Sequence, residues 1–213
     1  MKPVCLVLGA GAGIGGTVAA KFASEGYHSY LCRRSDQEGL DKLIKGIEDA
    51  GGSASGSLMN AIEEDALEEV ITKVESDVGP IEVLVYNLGA QTGMKLLSQT
   101  THKEFEWGWR MASFGLFRVA KILCPLMAER GKGTFLVTSA TAAMRGNATQ
   151  HSHAAAMGAR RMLCQSLNAE FASKGIHVAH IVVDGAVDAP DTLGKMLGPE
   201  MYQQLRETKG MEH

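Results

Sequence analysis

The chain of 213 residues is 45% hydrophobic and 21% charged, proportions that suit one globular domain with a sizeable core. Its formal net charge of -3 leaves no basic footprint, which argues against nucleic acid or an anionic membrane surface as a partner. The four cysteines, Cys5, Cys32, Cys124 and Cys164, form no CxxC pair, so a reduced, cytoplasmic protein is expected.

The N-terminus enters a short apolar run at once and shows no signal-peptide pattern. No apolar run reads as long enough to span a membrane. Val4 to Leu8 predicts a buried strand, followed by a glycine-rich turn from Gly9 to Gly16 and a helix to about Glu25. Tyr27 to Cys32 is the next strand, and Asp36 to Ala50 reads helical, with Leu40, Leu43, Ile44 and Ile47 on one face. A weak strand around Ser57 to Met59 precedes an acidic helix from Ile62 to Val78, ended by Gly79-Pro80. Ile81 to Tyr86 is a clear strand, Thr101 to Arg130 a long helix, and Gly133 to Ser139 a fifth strand. A helix from about His151 to Lys174 and a strand from Ile176 to Val183 complete the alternation.

Near-continuous apolar strands separated by helices imply a parallel sheet covered on both faces. Right-handed crossovers then predict a single α/β domain over 1–213, a Rossmann-type doubly wound sheet with its crevice at the carboxyl ends of the strands. The segment 185–213 differs: it holds Pro190, Gly194, Gly198 and Pro199 and one short amphipathic stretch around Met201 to Leu205. It reads as a substrate loop, and the sheet is expected to lack its last strand.

The segment Gly9-Ala10-Gly11-Ala12-Gly13-Ile14-Gly15 lies between a strand and a helix. Glycine lets the backbone approach a pyrophosphate, and the helix N-terminus favours its negative charge. Directly after the first strand of a βαβ unit, this spacing points to a dinucleotide site formed by Gly9, Gly11, Gly13, Ile14 and Gly15. Where an acidic residue at the end of the second strand would bind a ribose 2′-hydroxyl, the chain has Arg33 and Arg34. Two guanidiniums suit a 2′-phosphate, so NADP is the expected cofactor.

The Gly9, Gly13, Gly15 spacing resembles the loop of short-chain dehydrogenases/reductases, and Tyr86-Asn87-Leu88-Gly89-Ala90 resembles the family's Asn-Asn-Ala-Gly segment. The resemblance runs from Pro3 to about Pro190. It implies that Asn87 and Gly89 lie beside the adenine ribose, and that Asn60 stands where the family commonly places an aspartate facing the adenine. It also implies a contact from Val187 to the nicotinamide carboxamide, within Asp184 to Pro190. Pairing of the Thr101–Arg130 and His151–Lys174 helices with a second subunit, to give a homodimer or homotetramer, follows from the same resemblance. Phe114, Phe117, Met127, Met162 and Leu163 supply the apolar material.

The family's chemistry uses an Asn-Ser-Tyr-Lys set, and here the match is partial. Ser139 matches the serine, and Ala112 stands in place of the asparagine. Anchoring on Gln165-Ser166-Leu167 places His153 at the tyrosine and Met157 at the lysine, whereas counting forward from Ser139 selects Ser152 and Ala156. No tyrosine lies between Tyr86 and Tyr202, and no lysine between Lys132 and Lys174. His153 is the candidate acid, since histidine titrates near pH ~6.5 without help from a cation. His151 is a rival, and the two histidines lack a third ligand for a metal. Met157 reads as packing, Arg160 and Arg161 as surface or interface charges, with Arg160 the one cation able to replace the lysine if the helix shifts.

Three functions compete on these residues. One is an oxidoreductase acting with NADP on an unidentified small carbonyl or alcohol substrate, through Ser139 and His153. A second is a catalytically silent NADP-binding sensor or partner subunit, and a third is a scaffold with a vestigial site.

Overall fold

A computed structural model describes residues 2–89, 93–189, 193–208 and 211–212. Six strands, β1 (Val4–Leu8), β2 (His28–Arg33), β3 (Ser53–Leu58), β4 (Ile81–Tyr86), β5 (Gly133–Ala140) and β6 (Ile176–Val183), form one sheet in the order β3-β2-β1-β4-β5-β6. Every neighbouring pair is parallel, with Val7 opposite both Leu31 and Val85. Chain order reverses between β1 and β4, which opens the crevice at the carboxyl ends of these central strands.

Side chains alternate across each strand, so β1 feeds two layers. Leu6 and Leu8 join a core with Tyr86, Leu116 and Phe135, while Cys5 and Val7 join Ala19, Leu31 and Leu40 on the other face. Helices α1 (Ile14–Ser24) and α2 (Gln37–Asp49) cover the second layer; α3 (Ala66–Lys73), α5 (Gly115–Arg130) and α6 (His151–Phe171) cover the first. Ser29, inside β2, is fully buried and donates from Oγ to the Ala19 carbonyl at 2.7 Å.

Three elements depart from the sequence expectation. The strand expected at Ser57 to Met59 begins at Ser53. It is the sheet edge and is built of small polar residues, so apolar content understates it. His28 bonds the Ser53 and Ser55 hydroxyls at 2.8 and 2.7 Å across that ladder. The acidic helix begins at Ala66, after Asp65 in a left-handed conformation, and ends in a π turn from Val74 to Val78. The long helix also divides: α4 (His102–Trp109) passes through a π turn, Arg110–Phe114, into α5.

That continuous helical run, His102–Arg130, is long and apolar enough to cross a membrane, with a mean hydropathy of 1.5 over its most apolar window. This corrects the expectation that no run reaches such a length; half of the window is buried in the fold.

Beyond β6, a two-residue strand β7 (Ala186–Val187) pairs with β8 (Met211–Glu212), separate from the main sheet. The chain between them forms a turn of helix, α7 (Lys195–Leu197), and the longer α8 (Pro199–Glu207). Tyr202 and Arg206 on α8 both reach Asp188, the tyrosine hydroxyl by a short hydrogen bond and the guanidinium at 3.3 Å. The amphipathic stretch expected around Met201 to Leu205 thus holds the end of the cleft-lining loop. Ala90 and Pro190, which carried part of the family resemblance, lie outside the described residues.

Candidate functional site

The turn after β1 enters α1 without a side-chain cap at Gly13. First-turn amides of an uncapped helix are available to an anion. Gly9 adopts φ +93°, and a Cβ there would stand 2.6 Å from the Asn87 carbonyl oxygen. Only glycine allows this approach of β1 to the end of β4. Asn87 secures the junction: its amide donates to the Gly9 carbonyl at 2.9 Å, and its oxygen accepts from the Thr138 hydroxyl at 2.8 Å. Three strand ends are therefore fastened together under the crevice.

Above them lies a cleft of about 750 Å³ whose wall includes Gly9, Gly11, Gly13, Ile14 and Gly15. Arg33, Arg34, Asn87, Gly89 and Val187 line the same cleft. Ten of the sequence-nominated positions thus converge on one cavity from four separate connections. A Cβ at Gly11 would meet nothing within 4 Å, so backbone is presented directly to the opening. These features fit a dinucleotide: an open glycine floor, an uncapped helix start for a pyrophosphate, and cations at one end for a further phosphate.

Asn60 is not among the lining residues. Its amide donates instead to Glu63 at 2.9 Å, within the turn after β3. Ser139 and His153 do not line the cleft either. Ser139 is buried, and its hydroxyl lies 3.6 Å from the Met157 sulfur. Met157 in turn packs with Ala112, Ala142, Ala143 and Ala156 in a small apolar cluster separate from the two main cores. The surroundings of the Ser139 hydroxyl are therefore largely apolar, with Met111, Ala140 and Ala154 packed against the same cluster.

Residues of both frames on α6 point into the interior, Ser152 and Ala156 as well as Met157. Ser152 is buried and donates to the Glu104 carbonyl at 3.1 Å, so it turns toward α4. Met157 faces Ser139, and His153, one turn earlier on the same helix face, is half-buried.

Arg160 corrects the sequence reading most sharply. It is 2% exposed, neither a surface nor an interface charge. Its Nε donates to the Ala112 carbonyl at 2.9 Å, Nη1 to Thr138 at 2.7 Å, and Nη2 to Leu88 at 2.8 Å. The guanidinium also lies over the Tyr86 ring, 5.1 Å from its centroid. Burial pushes its pKa down, against the opposing pull of Tyr86 and Cys164. Its donors point to backbone carbonyls, and Arg160 is not among the residues lining the cleft. Its position was legible: Met157, Arg160, Cys164 and Leu167 recur at helical spacing and are all buried. Asp36 was also missed. It caps α2, its Oδ1 accepting from the Gly39 amide at 2.9 Å, and it lines the cleft beside Arg33. An aspartate directly before a helical run is the sequence signal for such a cap.

The short chain dehydrogenase family matches residues 3–194. A 3-oxoacyl-(acyl-carrier-protein) reductase of Thermotoga maritima is 29% identical over 205 residues, covering 96% of this chain and 80% of the relative. A short-chain dehydrogenase structure from Rhodopseudomonas palustris superposes with a TM-score of 0.80 at 31% identity, over 96% of this chain and 92% of that one. The structure of actinorhodin polyketide ketoreductase with NADPH gives a TM-score of 0.82 at 27% identity, covering 97% and 75% of the two chains.

Proposed function

Because the chain belongs to the short-chain dehydrogenase family, we propose that its cleft binds NADP(H) and that its hydride chemistry on simple carbonyls or alcohols is weak. The observation that carries this reading is the convergence of Arg33 and Arg34 with the uncapped start of α1 on one cavity. When bound, the dinucleotide supplies or accepts a hydride; the protein supplies orientation and a proton. Here Arg33 and Arg34 hold the adenosine end, and the glycine turn faces the pyrophosphate. Val187 borders the same cleft, where the nicotinamide carboxamide is proposed to lie.

NADPH is expected to bind more tightly than NADH in a fluorescence titration, and Arg33→Ala with Arg34→Ala to erase most of the difference. Equal affinities in the parent protein would defeat this assignment.

A second reading, a silent NADP-binding sensor or partner subunit, is favoured by the apolar cluster around Ser139 and Met157. Loss of a general acid typically costs about 10²–10⁴-fold in rate. The two readings divide on turnover of a ketone and aldehyde panel, with Ser139→Ala and His153→Ala as controls.

The chain is further proposed to be cytoplasmic, with its four cysteines free and buried, and to form a homodimer or homotetramer. Trp109, Phe114 and Phe117 stack in a row along the outer side of α4 and α5, with centroid separations of 5.2 and 6.4 Å. All three rings are exposed, as is Met162 on α6, whereas Met127 belongs to the core and Leu163 is half-buried. An aromatic row of this kind is typical of a surface that another subunit covers. Light scattering at micromolar concentration is expected to give twice or four times the 22.7 kDa chain mass; a monomer counts against it.

A further inference from the structure

The cation at the adenosine end of the cleft is already engaged. Arg33 Nη2 lies 2.8 Å from Asp36 Oδ2, and both residues line the cavity. The Arg33 side chain is only 14% exposed, and that of Asp36 is 52% exposed. Asp36 is held in place from two sides. Its other oxygen caps α2 through the Gly39 amide at 2.9 Å, and its backbone sits in the left-handed region at φ 74°. A Cβ at Gly39 would overlap both the Asp36 carboxylate and the Arg33 guanidinium. The bare first turn of α2 is what lets the ion pair lie against it. This is a built arrangement, with a fixed carboxylate at the position where a phosphate would seek Arg33.

We propose that Asp36 is a specificity-determining residue that restrains the preference for a 2′-phosphorylated dinucleotide. The inference rests on the reading of the cleft as a dinucleotide site. A 2′-phosphate must share Arg33 with the carboxylate or displace it, and it meets a like charge as it does so. A ribose carrying a free 2′-hydroxyl meets no such repulsion, and Asp36 offers it an acceptor. The arginines alone set a strong preference for the phosphate; Asp36 reduces it to a modest one.

Asp36→Asn isolates the charge. Asparagine caps helices as well as aspartate does and tolerates the left-handed region, so α2 and its start are retained. Asp36→Gly is the second variant, since glycine also accepts that backbone and loses only part of the cap. Fluorescence titration of the full chain with NADPH and with NADH reads the effect. Both variants are expected to tighten NADPH roughly tenfold, within the usual range for coupled sites, and to change NADH less than about threefold. Adding Arg33→Ala to Asp36→Asn is expected to abolish the gain, because the carboxylate acts through Arg33. If the parent binds both dinucleotides and neither Asp36 variant alters their ratio, the role of Asp36 is overturned while the site assignment stands. If neither dinucleotide binds the parent or the variants, the site assignment fails and this inference with it.

Discussion

Arg160→Met is expected to destabilise the folded chain by about 3 kcal/mol, the net of lost hydrogen bonds and relieved desolvation. Methionine fills a similar length but donates nothing. The carbonyls of Ala112, Thr138 and Leu88 would each lose the donor they now have within 2.9 Å. A buried carbonyl left without a partner costs about 1–3 kcal/mol. Removing a guanidinium from the interior returns part of that cost, because burying the cation was itself unfavourable. The stacking over Tyr86 is lost as well, a contribution of about 1–2 kcal/mol for a desolvated cation–π contact. For a chain of this size the melting temperature should fall by roughly 6–12 °C. Arg160→Lys should recover little, because an ammonium is a point donor and cannot bridge three carbonyls in one plane. Urea unfolding with an unchanged m-value is the measurement. A midpoint change equivalent to less than about 1 kcal/mol would mean that water takes over the carbonyls.

Arg160 ties separate elements together around the crevice. Its three bonds join the end of β5, the segment after β4 and the π turn between α4 and α5. Asn87 performs the corresponding task one layer lower, between Gly9 and Thr138. The crevice is thus held open by side chains that serve the backbone, whatever becomes of the chemistry.

Most of the sheet was legible because parallel strands buried on both faces are continuous apolar runs, as in Val4–Leu8 and Ile81–Tyr86. The edge strand Ser53–Leu58 was legible only in its last residues, since small side chains at an edge carry little hydrophobic signal. The π turns at Val74–Val78 and Arg110–Phe114 were hidden for another reason. Inserting one residue into a helical turn barely disturbs the 3.6-residue pattern on either side.

The nominated positions that present backbone at strand ends, such as Gly9 and Gly13, come together on the cleft. Side-chain partners were less legible than the positions themselves. Asn60 prefers Glu63, and Arg33 is held by Asp36, three residues along the chain. Such local pairings depend on turn geometry. Asp36 and Asp65, both with positive φ, are turn residues whose conformation no apolar periodicity reveals.

Installing His153→Tyr together with Met157→Lys is expected to raise carbonyl reduction with NADPH by about 10²-fold or more, the typical worth of a positioned proton donor. Met157 is the critical site, because its sulfur stands 3.6 Å from the Ser139 hydroxyl. An ammonium there would reach the serine and a phenol one turn earlier on the same helix face. Alone, Met157→Lys should be harmful. It would place a charge among Ala112, Ala142, Ala143 and Ala156, one turn from the buried Arg160. The phenol of the double variant gives that ammonium a partner, so the two substitutions should be strongly non-additive in both stability and rate. Ala112→Asn, which the family's pattern would add next, is expected to cost about 1–3 kcal/mol through overpacking. Ala112 is fully buried against Met157, and its carbonyl already serves Arg160. Kinetics on a ketone panel and thermal melts of each single and double variant check the scheme. A double variant that binds NADPH yet reduces nothing above the parent's rate would sink it. Robust turnover by the parent, insensitive to His153→Ala, would place the reacting centre away from His153.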